Sequence, residues 1–247
     1  MSRLPFLRQR LPRSLFVKAP AASCTPADVF GDCFTGCAGV LTSPADPAVC
    51  GWTVVPGSVV GTPTVSFDTD QMVFNAAGPG ESIIVQKSLL IPSPTADFSG
   101  QFRFTEFPAG GGDPSVFYAV FLTDAGPGSE TMLIFLVADG SVFLSTGAGF
   151  GGIIYSGVWA SVPGATHTVH WTIDAAKLPS LFVDLVAVPL FPAFPGPFFV
   201  GLPADQMLVE AGNNGALASA PFDFDFAATG VLPPTTVFCC PEGGPAT

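Results

Sequence analysis

The sequence has few charged residues and few of the residues that favour surface helices. Lys, Arg, Asp and Glu make up 11% of its 247 residues, with only three Lys, five Glu and four Met. This scarcity excludes long amphipathic helices, whose exposed positions are normally filled by such residues. By contrast there are 24 Phe, 26 Pro and 28 Gly. Phe suits the half-buried surface of a sheet, and Pro and Gly mark turns, so the composition predicts an all-β protein.

The sequence also lacks an uninterrupted apolar stretch long enough to span a membrane. The best candidate, residues 181–202, contains Asp184 and four prolines. Repeated proline removes hydrogen bonds that a helix in lipid needs, so we predict no membrane span. The basic N-terminal segment lacks the apolar core of a secretory signal peptide, because cations and prolines interrupt every run. The mean hydropathy of +0.53 instead indicates a surface partly covered by neighbouring molecules.

Short apolar runs separated by turn signals occupy residues 50–230 and predict about twelve β-strands. Phe alternates with Asp in "FDFDF", residues 222–226, which is the two-residue period of a strand with one apolar face. Residues 115–147 hold nearly continuous apolar runs, which predict strands covered on both faces, and Asp139-Gly140 within them predicts a hairpin. The predicted architecture is a two-sheet antiparallel β-sandwich with an extended N-terminal arm.

Positive charge is concentrated in that arm. Residues 1–18 carry five cations and no acid, a charge of +5, whereas the remainder carries three cations and nineteen acids, a charge of −16. Large apolar residues lie between the cations, which is unlike a free disordered tail, and Arg is favoured at protein interfaces. We therefore predict that the arm docks on another copy or a companion protein, and that nucleic acid, which the acidic body would repel, is not its partner. The predicted contact residues are Arg3, Leu4, Phe6, Leu7, Arg8, Arg10, Leu11, Arg13, Phe16 and Lys18.

The sequence divides into four predicted segments. These are the docking arm (1–23), a Cys-rich irregular segment (24–50), the β-sandwich domain (51–232) and a Pro/Gly/Cys tail (233–247). The spacing of the cysteines does not match a zinc finger or ribbon, so we predict disulfides that fasten the two ends to the sandwich, with buried free thiols or a metal site as alternatives. Disulfides would indicate an oxidising setting. The six cysteines are Cys24, Cys33, Cys37, Cys50, Cys239 and Cys240.

Several motifs, in this order, resemble those of the concanavalin A-like and laminin-G-like jelly rolls. "GDCFTG" and "GWTVV" stand where that family has an opening D-x-F and W-x-V, "FSGQFRF" at 98–104 is similar to its middle strand, and "HTVHWTID…LFVDL" spans 167–185. The resemblance covers about residues 28–230 and implies a jelly-roll sandwich. Because the family includes lectins, polysaccharide hydrolases, adhesion modules and viral structural proteins, the fold alone does not select a function.

The sequence shows no clear catalytic pattern. Hydrolases of this kind need two neighbouring carboxyl groups, but the nearest two Glu are 24 residues apart. Asp223 and Asp225 are paired on one strand face, which we interpret as a face in water or near a cation. His167 and His170, the only histidines, lie three residues apart and would point to opposite faces of a strand. We predict no catalytic residue, no metal and no cofactor.

Sugar binding would require exposed aromatic side chains. Trp171 and Tyr118 lie in apolar runs and are predicted to belong to the core. Tyr155 and Trp159 lie in "GGIIYSGVWASVPG" and are the predicted glycan contacts, at a loop rim.

The combination of low charge, a jelly-roll pattern and a segregated basic arm leads to the principal functional prediction. It is a non-enzymatic structural protein of a viral particle, a bacteriophage capsid decoration or tail component, whose partners are other copies or other virion proteins. Two alternatives stay open: a carbohydrate-binding, lectin-like module for host-surface glycans, and a polysaccharide hydrolase.

Overall fold

The computed structural model of the chain consists of β-strands and turns. Nineteen strands and no helix occur in the segments that it describes. No helix able to cross a membrane is found in those segments. The predicted docking arm lies outside them. The described segments are 25–26, 30–32, 34, 36–68, 71–76, 79–89, 92–108, 116–123, 132–146, 153–192, 204–214, 218–236 and 238–239.

The strands vary from two to twelve residues in length. They are β1 (Thr25–Pro26), β2 (Phe30–Asp32), β3 (Ala38–Leu41), β4 (Thr53–Val54), β5 (Thr64–Asp68), β6 (Gln71–Ala76), β7 (Pro79–Ser88), β8 (Phe98–Thr105), β9 (Phe117–Thr123), β10 (Met132–Val137), β11 (Ser141–Thr146), β12 (Ile153–Val158), β13 (Thr166–Ile173), β14 (Pro179–Val183), β15 (Val186–Val188), β16 (Phe191–Pro192), β17 (Gln206–Asn214), β18 (Ala218–Thr229) and β19 (Phe238–Cys239).

The strands form two large antiparallel sheets. The eight-stranded sheet has the order β16-β12-β11-β10-β9-β17-β7-β4. The nine-stranded sheet has the order β15-β14-β13-β8-β18-β6-β5-β3, with β2 also paired to β18. β1 and β19 form a separate parallel pair that brings the two ends of the described chain together. The two-sheet sandwich predicted from the sequence is confirmed.

Side chains from both sheets meet in one hydrophobic core. Phe104 of β8 and Tyr118 of β9 have ring centroids 4.5 Å apart. Trp171 of β13 lies over Gly100 of β8, its partner in the register, and a Cβ added at Gly100 would come within 2.2 Å of the indole. Both Trp171 and Tyr118 are buried, as predicted. Glycine is therefore required at position 100, where the Trp171 indole crosses the neighbouring strand.

The predicted hairpin joins β10 to β11. Asp139 Oδ1 accepts a hydrogen bond from Ser141 N at 2.7 Å, and Gly140 adopts a φ of 94°, a conformation that favours glycine. All six residues of β10 are buried, which confirms the prediction of coverage on both faces. Fifteen strands, β4 to β18, lie where about twelve were predicted. β4, β15 and β16 have only two or three residues and are too short to show a period.

The Cys-rich segment contributes β2 and β3 to the nine-stranded sheet and is therefore less irregular than predicted. A disulfide joins Cys37 to Cys50. Buried Asp32 at the end of β2 accepts hydrogen bonds from Trp52 Nε1 at 2.7 Å and Lys87 Nζ at 2.8 Å. Since Lys87 belongs to β7, this ion pair connects the segment to the opposite sheet.

The pairing of the other four cysteines lies outside the described side chains and stays a prediction. These are Cys24, Cys33, Cys239 and Cys240.

Candidate functional site

A second hydrophobic cluster lies on the outer face of the eight-stranded sheet. Along β10, Met132, Ile134 and Leu136 point into the main core. The residues between them point outward, because successive side chains of a strand alternate, and they pack in a separate cluster with outward residues of β9 and β11. We call this cluster the aromatic face; its residues on β10 are buried, and its Phe residues on β9 and β11 are partly exposed. Its members are Phe117, Ala119, Phe121, Leu133, Phe135, Val137 and Phe143.

The rings of the aromatic face follow a line across the strands. Phe117 and Phe135 are stacked, with centroids 4.8 Å apart and planes at 24°, and Phe143 follows at 6.5 Å from Phe135. Strand pairing continues the line through Ser156 to Phe191 at the sheet edge, where the Phe191 side chain is 65% exposed. The complete in-register row is Phe191, Ser156, Phe143, Phe135, Ala119, Glu210 and Ile84.

A glycine permits close ring packing at one end of this line. Gly212 of β17 is the register partner of Phe117, and a Cβ at Gly212 would come within 2.3 Å of the Phe117 ring. The absence of a side chain lets the ring lie over the neighbouring strand, as Trp171 does over Gly100 inside the core.

Glu210 of β17 adds a carboxyl group to the aromatic face. It pairs in register with Ala119 and Ile84. Burial raises the pKa of Glu210 to about 6, and a hydrogen bond with the Ser82 side chain opposes the shift. A carboxyl group beside flat apolar rings is suited to hydrogen bonding with a ligand that has both hydroxyl groups and apolar surfaces.

Inside the sandwich lies a chain of polar groups that the sequence did not lead us to predict. His167 Nδ1 donates to Asp184 Oδ2 at 2.6 Å, and His167 Nε2 lies 2.8 Å from Glu106 Oε1. The second contact has the distance of an ion pair but not the alignment of a hydrogen bond. Glu106 is 0% exposed, whereas the Asp184 side chain is 48% exposed. The chain therefore leads from the interior to the edge of the nine-stranded sheet.

The environment of His167 favours its protonated form. Burial, the largest single effect, lowers its pKa. The close contacts with Glu106 and Asp184 and the negative charges of both carboxylates together outweigh burial, so the pKa of His167 lies above the ordinary 6.5. Glu106 also accepts hydrogen bonds from Ser161 Oγ at 2.8 Å and Val162 N at 2.6 Å. These contacts stabilise a buried carboxylate that would otherwise be costly.

This polar chain is not arranged as a nucleophilic triad. Both nitrogens of His167 face carboxylates, and the Ser161 hydroxyl donates to Glu106 rather than to the imidazole. A general base needs a free ring nitrogen within reach of the nucleophile. We therefore interpret Glu106, His167 and Asp184 as a structural connection between the interior and the sheet edge.

The outer face of the nine-stranded sheet is polar, and we call it the polar face. Its described members on β8 and β13 include Gln101, Arg103, Thr168 and His170. His170 Nε2 donates to the carbonyl of Leu232 at 3.1 Å, and burial lowers the pKa of His170 while this hydrogen bond opposes the shift. The two histidines point to opposite faces of β13, as predicted.

The predicted Asp pair belongs to β18, whose "FDFDF" stretch is confirmed as a strand. Asp223 pairs in register with Arg103, and Asp225 with Gln101. The side chains of β18 lie outside the described ones, so the interpretation of the pair as a face in water or near a cation stays a prediction.

The predicted loop-rim position of Tyr155 and Trp159 is wrong, because both side chains are buried. Trp159 Nε1 donates to the carbonyls of Val137 and Ser141 at 3.0 and 3.1 Å, which satisfies the indole and permits its burial. Its ring packs edge-on against His167 at 5.0 Å. Partly exposed aromatic residues lie instead on the aromatic face, at Phe117, Phe121 and Phe143, where continuous apolar runs concealed which side chains point outward.

In the part of the chain that the structure describes, no group of three or more His, Cys, Asp or Glu side chains could hold a metal ion. No family model and no curated protein sequence matches the chain.

Solved structures with the same fold include carbohydrate-related proteins. The potassium-bound carbohydrate recognition domain of Emp46p is 15% identical with a TM-score of 0.54, over 74% of this chain and 90% of that one. A protein of unknown function with a galectin-like fold from Bacillus subtilis is 9% identical with a TM-score of 0.54, over 82% and 99%. A glycoside hydrolase family protein from Mycobacterium thermorestibile is 17% identical with a TM-score of 0.53, over 81% and 99%.

None of these three is described as a viral protein, so the predicted particle role is left without support. At such identities the likeness concerns the fold alone. The chain has the jelly-roll β-sandwich of concanavalin A-like and galectin-like domains.

Proposed function

We propose that this protein is a carbohydrate-binding, lectin-like module and that its aromatic face binds the sugar. The observation that carries the proposal is a group of aromatic side chains on one sheet face, of which Phe117 and Phe143 are partly exposed and Phe191 at the sheet edge is 65% exposed. Flat rings pack against the apolar faces of sugars, and a few well-placed polar groups orient the ligand. The fold, shared with a carbohydrate recognition domain and a glycoside hydrolase family protein, supports this proposal at the level of architecture only.

Binding is favoured over hydrolysis by the arrangement of the carboxyl groups. Glycoside hydrolases use two carboxyl groups, about 5–5.5 Å apart in retaining enzymes and about 6.5–9.5 Å apart in inverting ones. Among the described residues of the aromatic face, Glu210 is the only acid, and Glu106 is buried in the polar chain. A polysaccharide hydrolase therefore ranks second.

The test is retention of the full chain by polysaccharides in affinity gels, together with a glycan array. The Phe143→Ala variant should reduce retention about tenfold, because truncating an aromatic anchor typically costs more than 1 kcal/mol of binding. Arg103→Ala on the polar face is the matched control and should change nothing. No retention and no array signal would reject the proposal, and release of reducing sugar would favour the hydrolase.

Assembly into a viral particle stays a separate prediction, as does location in a virion or another extracellular particle. The predicted arm, residues 1–23, lies outside the described structure. Deletion of residues 2–18 should leave a folded β-protein that still binds polysaccharide but no longer assembles. Assembly at normal affinity after the deletion would contradict the predicted role of the arm.

A further inference from the structure

We propose that one corner of the sandwich is a docking surface for the basic arm, residues 3–18, of a second copy of this chain. We call this surface the apolar corner. Sugar binding on the aromatic face is not required for the contact, which uses other side chains. The exposed apolar members of the corner are Val158, Val162, Leu185 and Val186.

A series of polar contacts brings the parts of this corner together. Asp184, in the turn between β14 and β15, lies 2.6 Å from His167, and His167 lies 2.8 Å from Glu106. Glu106 in turn accepts a hydrogen bond from Val162 N at 2.6 Å. The β14–β15 turn and the segment that follows β12 therefore lie at the same end of the sandwich.

The edges of the two sheets also meet at this corner. β15 is the last strand of the nine-stranded sheet, and β12 is next to the last strand of the eight-stranded sheet. Gly157 of β12 lies against β15, since a Cβ added at Gly157 would come within 2.9 Å of Val188 Cγ1. Val158 and Val186, which are one and two residues from this contact, therefore belong to the same region of the surface.

The apolar side chains of the corner are unusually exposed. The exposed fractions are 72% for Val158, 51% for Val162, 59% for Leu185 and 68% for Val186. Grouped apolar side chains on a surface mark a contact with another molecule. Because the chain by itself leaves these four in water, a second molecule is needed to cover them.

The hairpin turn at the corner has a strained backbone. Asp184 and Leu185 have φ angles of 51° and 67°, in the left-handed region where turns of this kind favour Asn and Gly. Leu in that conformation places a large apolar side chain at the tip of the hairpin. Strain of this kind is found at sites of binding, and we relate it here to the docking of a partner.

The charge of the corner is negative. Glu106 and Asp184 are two carboxylates that share one imidazole, so a protonated His167 neutralises only one of them. The Asp184 side chain is 48% exposed, so negative charge reaches the surface beside Leu185. A cation of a docking partner gains from this charge without entering the core.

A further carboxylate lies next to the β12 side of the corner. Trp159 N, which follows Val158, donates a hydrogen bond to the carbonyl of Gly140 at 2.8 Å. Asp139, the preceding residue of the β10–β11 turn, is exposed. Acidic groups therefore accompany the apolar side chains on the β12 side as well as at the hairpin.

The arm has the complementary composition. Its five cations alternate with Leu and Phe, whereas the rest of the chain carries −16. Two acidic bodies repel each other, so an arm of opposite charge favours their association. The 24 residues before β1 span about 80 Å when extended, which exceeds the roughly 45 Å across a compact domain of this length. The arm of one copy is therefore long enough to reach the apolar corner of another.

Sedimentation equilibrium of the full chain tests the surface. We expect self-association at micromolar concentration that weakens as salt is raised, because screening weakens the attraction between arm and corner. Val186→Asp places a charge among the apolar side chains and should weaken association about tenfold or more. Val40→Asp is the matched control, because Val40 is 54% exposed on β3 at the opposite edge of the nine-stranded sheet. A chain that stays monomeric, or equal weakening by both variants, overturns the proposal.

Substitutions in the arm test the occupant. The double variant Arg8→Ala, Arg10→Ala should weaken association about as much as Val186→Asp. Combining all three changes should add little, because both sets remove the same contact. Additive effects, or an arm variant that associates normally, overturn the assignment of the arm to this corner. Near-UV circular dichroism checks folding, and the arm variant gives a result even if Val186→Asp does not fold.

Discussion

The outer faces of the two sheets differ in chemistry although the sheets enclose one core. The polar face carries Gln101, Arg103, Thr168 and His170, whereas the aromatic face carries rings and a single carboxyl group in its described part. In most sandwiches the outer residues of both sheets are polar, because the core between the sheets already buries the apolar surface. The aromatic face is thus not needed to close the core between the sheets, and we relate its partly exposed rings to the proposed ligand binding.

The two faces also differ in how they are held. At the polar face, Ser99 Oγ donates to the carbonyl of Gly230 at 2.8 Å and accepts from Leu232 N at 2.7 Å, so residues 230–232 cover one end of it. The sheet edge is tied to the interior through Asp184, His167 and Glu106. The described aromatic face is held by ring packing instead. Hydrogen bonds and ion pairs therefore stabilise the polar face of the nine-stranded sheet, and ring packing stabilises the aromatic face of the eight-stranded sheet.

The largest effect on stability is expected at His167, which connects the edge of the nine-stranded sheet to the interior. His167→Gln removes the cation and leaves Glu106 as an uncompensated buried charge, which should reduce the free energy of unfolding by about 3–5 kcal/mol. Chemical denaturation at pH 6 measures the loss. Thr166→Ala, at an exposed position on the same strand, is the control and should change stability by less than about 0.5 kcal/mol. A loss of similar size in both variants would show that the polar chain is not the cause.

The next effect compares the two glycines that lie under aromatic rings. Gly100→Ala forces the Trp171 indole out of its place in the core and should cost about 3 kcal/mol, at the upper end for overpacking. Gly212→Ala displaces Phe117, which is only partly buried and can turn aside, so we expect about 1 kcal/mol. Urea unfolding gives both values. Gly212→Ala should also weaken polysaccharide retention, whereas Gly100→Ala, if folded, should not; the reverse pattern would contradict the assignment of faces.

The two histidines should give opposite pH dependences. The raised pKa of His167 stabilises the fold fully below pH 6.5, and this contribution is lost as the pH rises through the higher folded-state value. The lowered pKa of His170 has the opposite consequence, because protonation of a buried neutral imidazole destabilises the fold as the pH falls below 6.5.

Melting temperatures between pH 5 and 9 separate these two effects. His167→Gln should remove the loss on the alkaline side, and His170→Gln should remove the loss on the acidic side. If both variants change the same side of the profile, the two histidines do not have the environments described above.

The fold was predictable because its signals are local. The "FDFDF" alternation, the Asp139-Gly140 hairpin and the fully apolar β10 follow from period and turn chemistry alone. The burial of Glu106 was also predictable, because this residue continues the alternation of the inward residues Phe102 and Phe104. A buried carboxylate needs a partner, so a polar contact could have been predicted as well. Its connection to Asp184 through His167 depends on the pairing of distant strands, which no local pattern contains.

The aromatic face was not predictable for a different reason. A continuous apolar run looks the same whether its outward side chains are packed beneath other parts of the chain or present a ligand surface. Only strand order shows that Phe135 and Phe143 share one row and that Phe117 stacks on Phe135 from a diagonal position. The error at Tyr155 and Trp159 has a related cause. Glycine-rich surroundings indicate turns, but they do not show that the Trp159 indole can donate hydrogen bonds to backbone carbonyls in the interior.

The smallest effect is expected on the polar face. Arg103 is exposed, and Asp223 lies opposite it in the register. Substitutions at exposed positions usually change stability by no more than about 0.5 kcal/mol, so Arg103→Ala should lower the free energy of unfolding by no more than that amount. Retention by polysaccharide should stay unchanged, because the other sheet carries the proposed site. If Arg103→Ala abolished retention while Phe143→Ala preserved it, the ligand would bind to the polar face, and the aromatic face would not be the binding site.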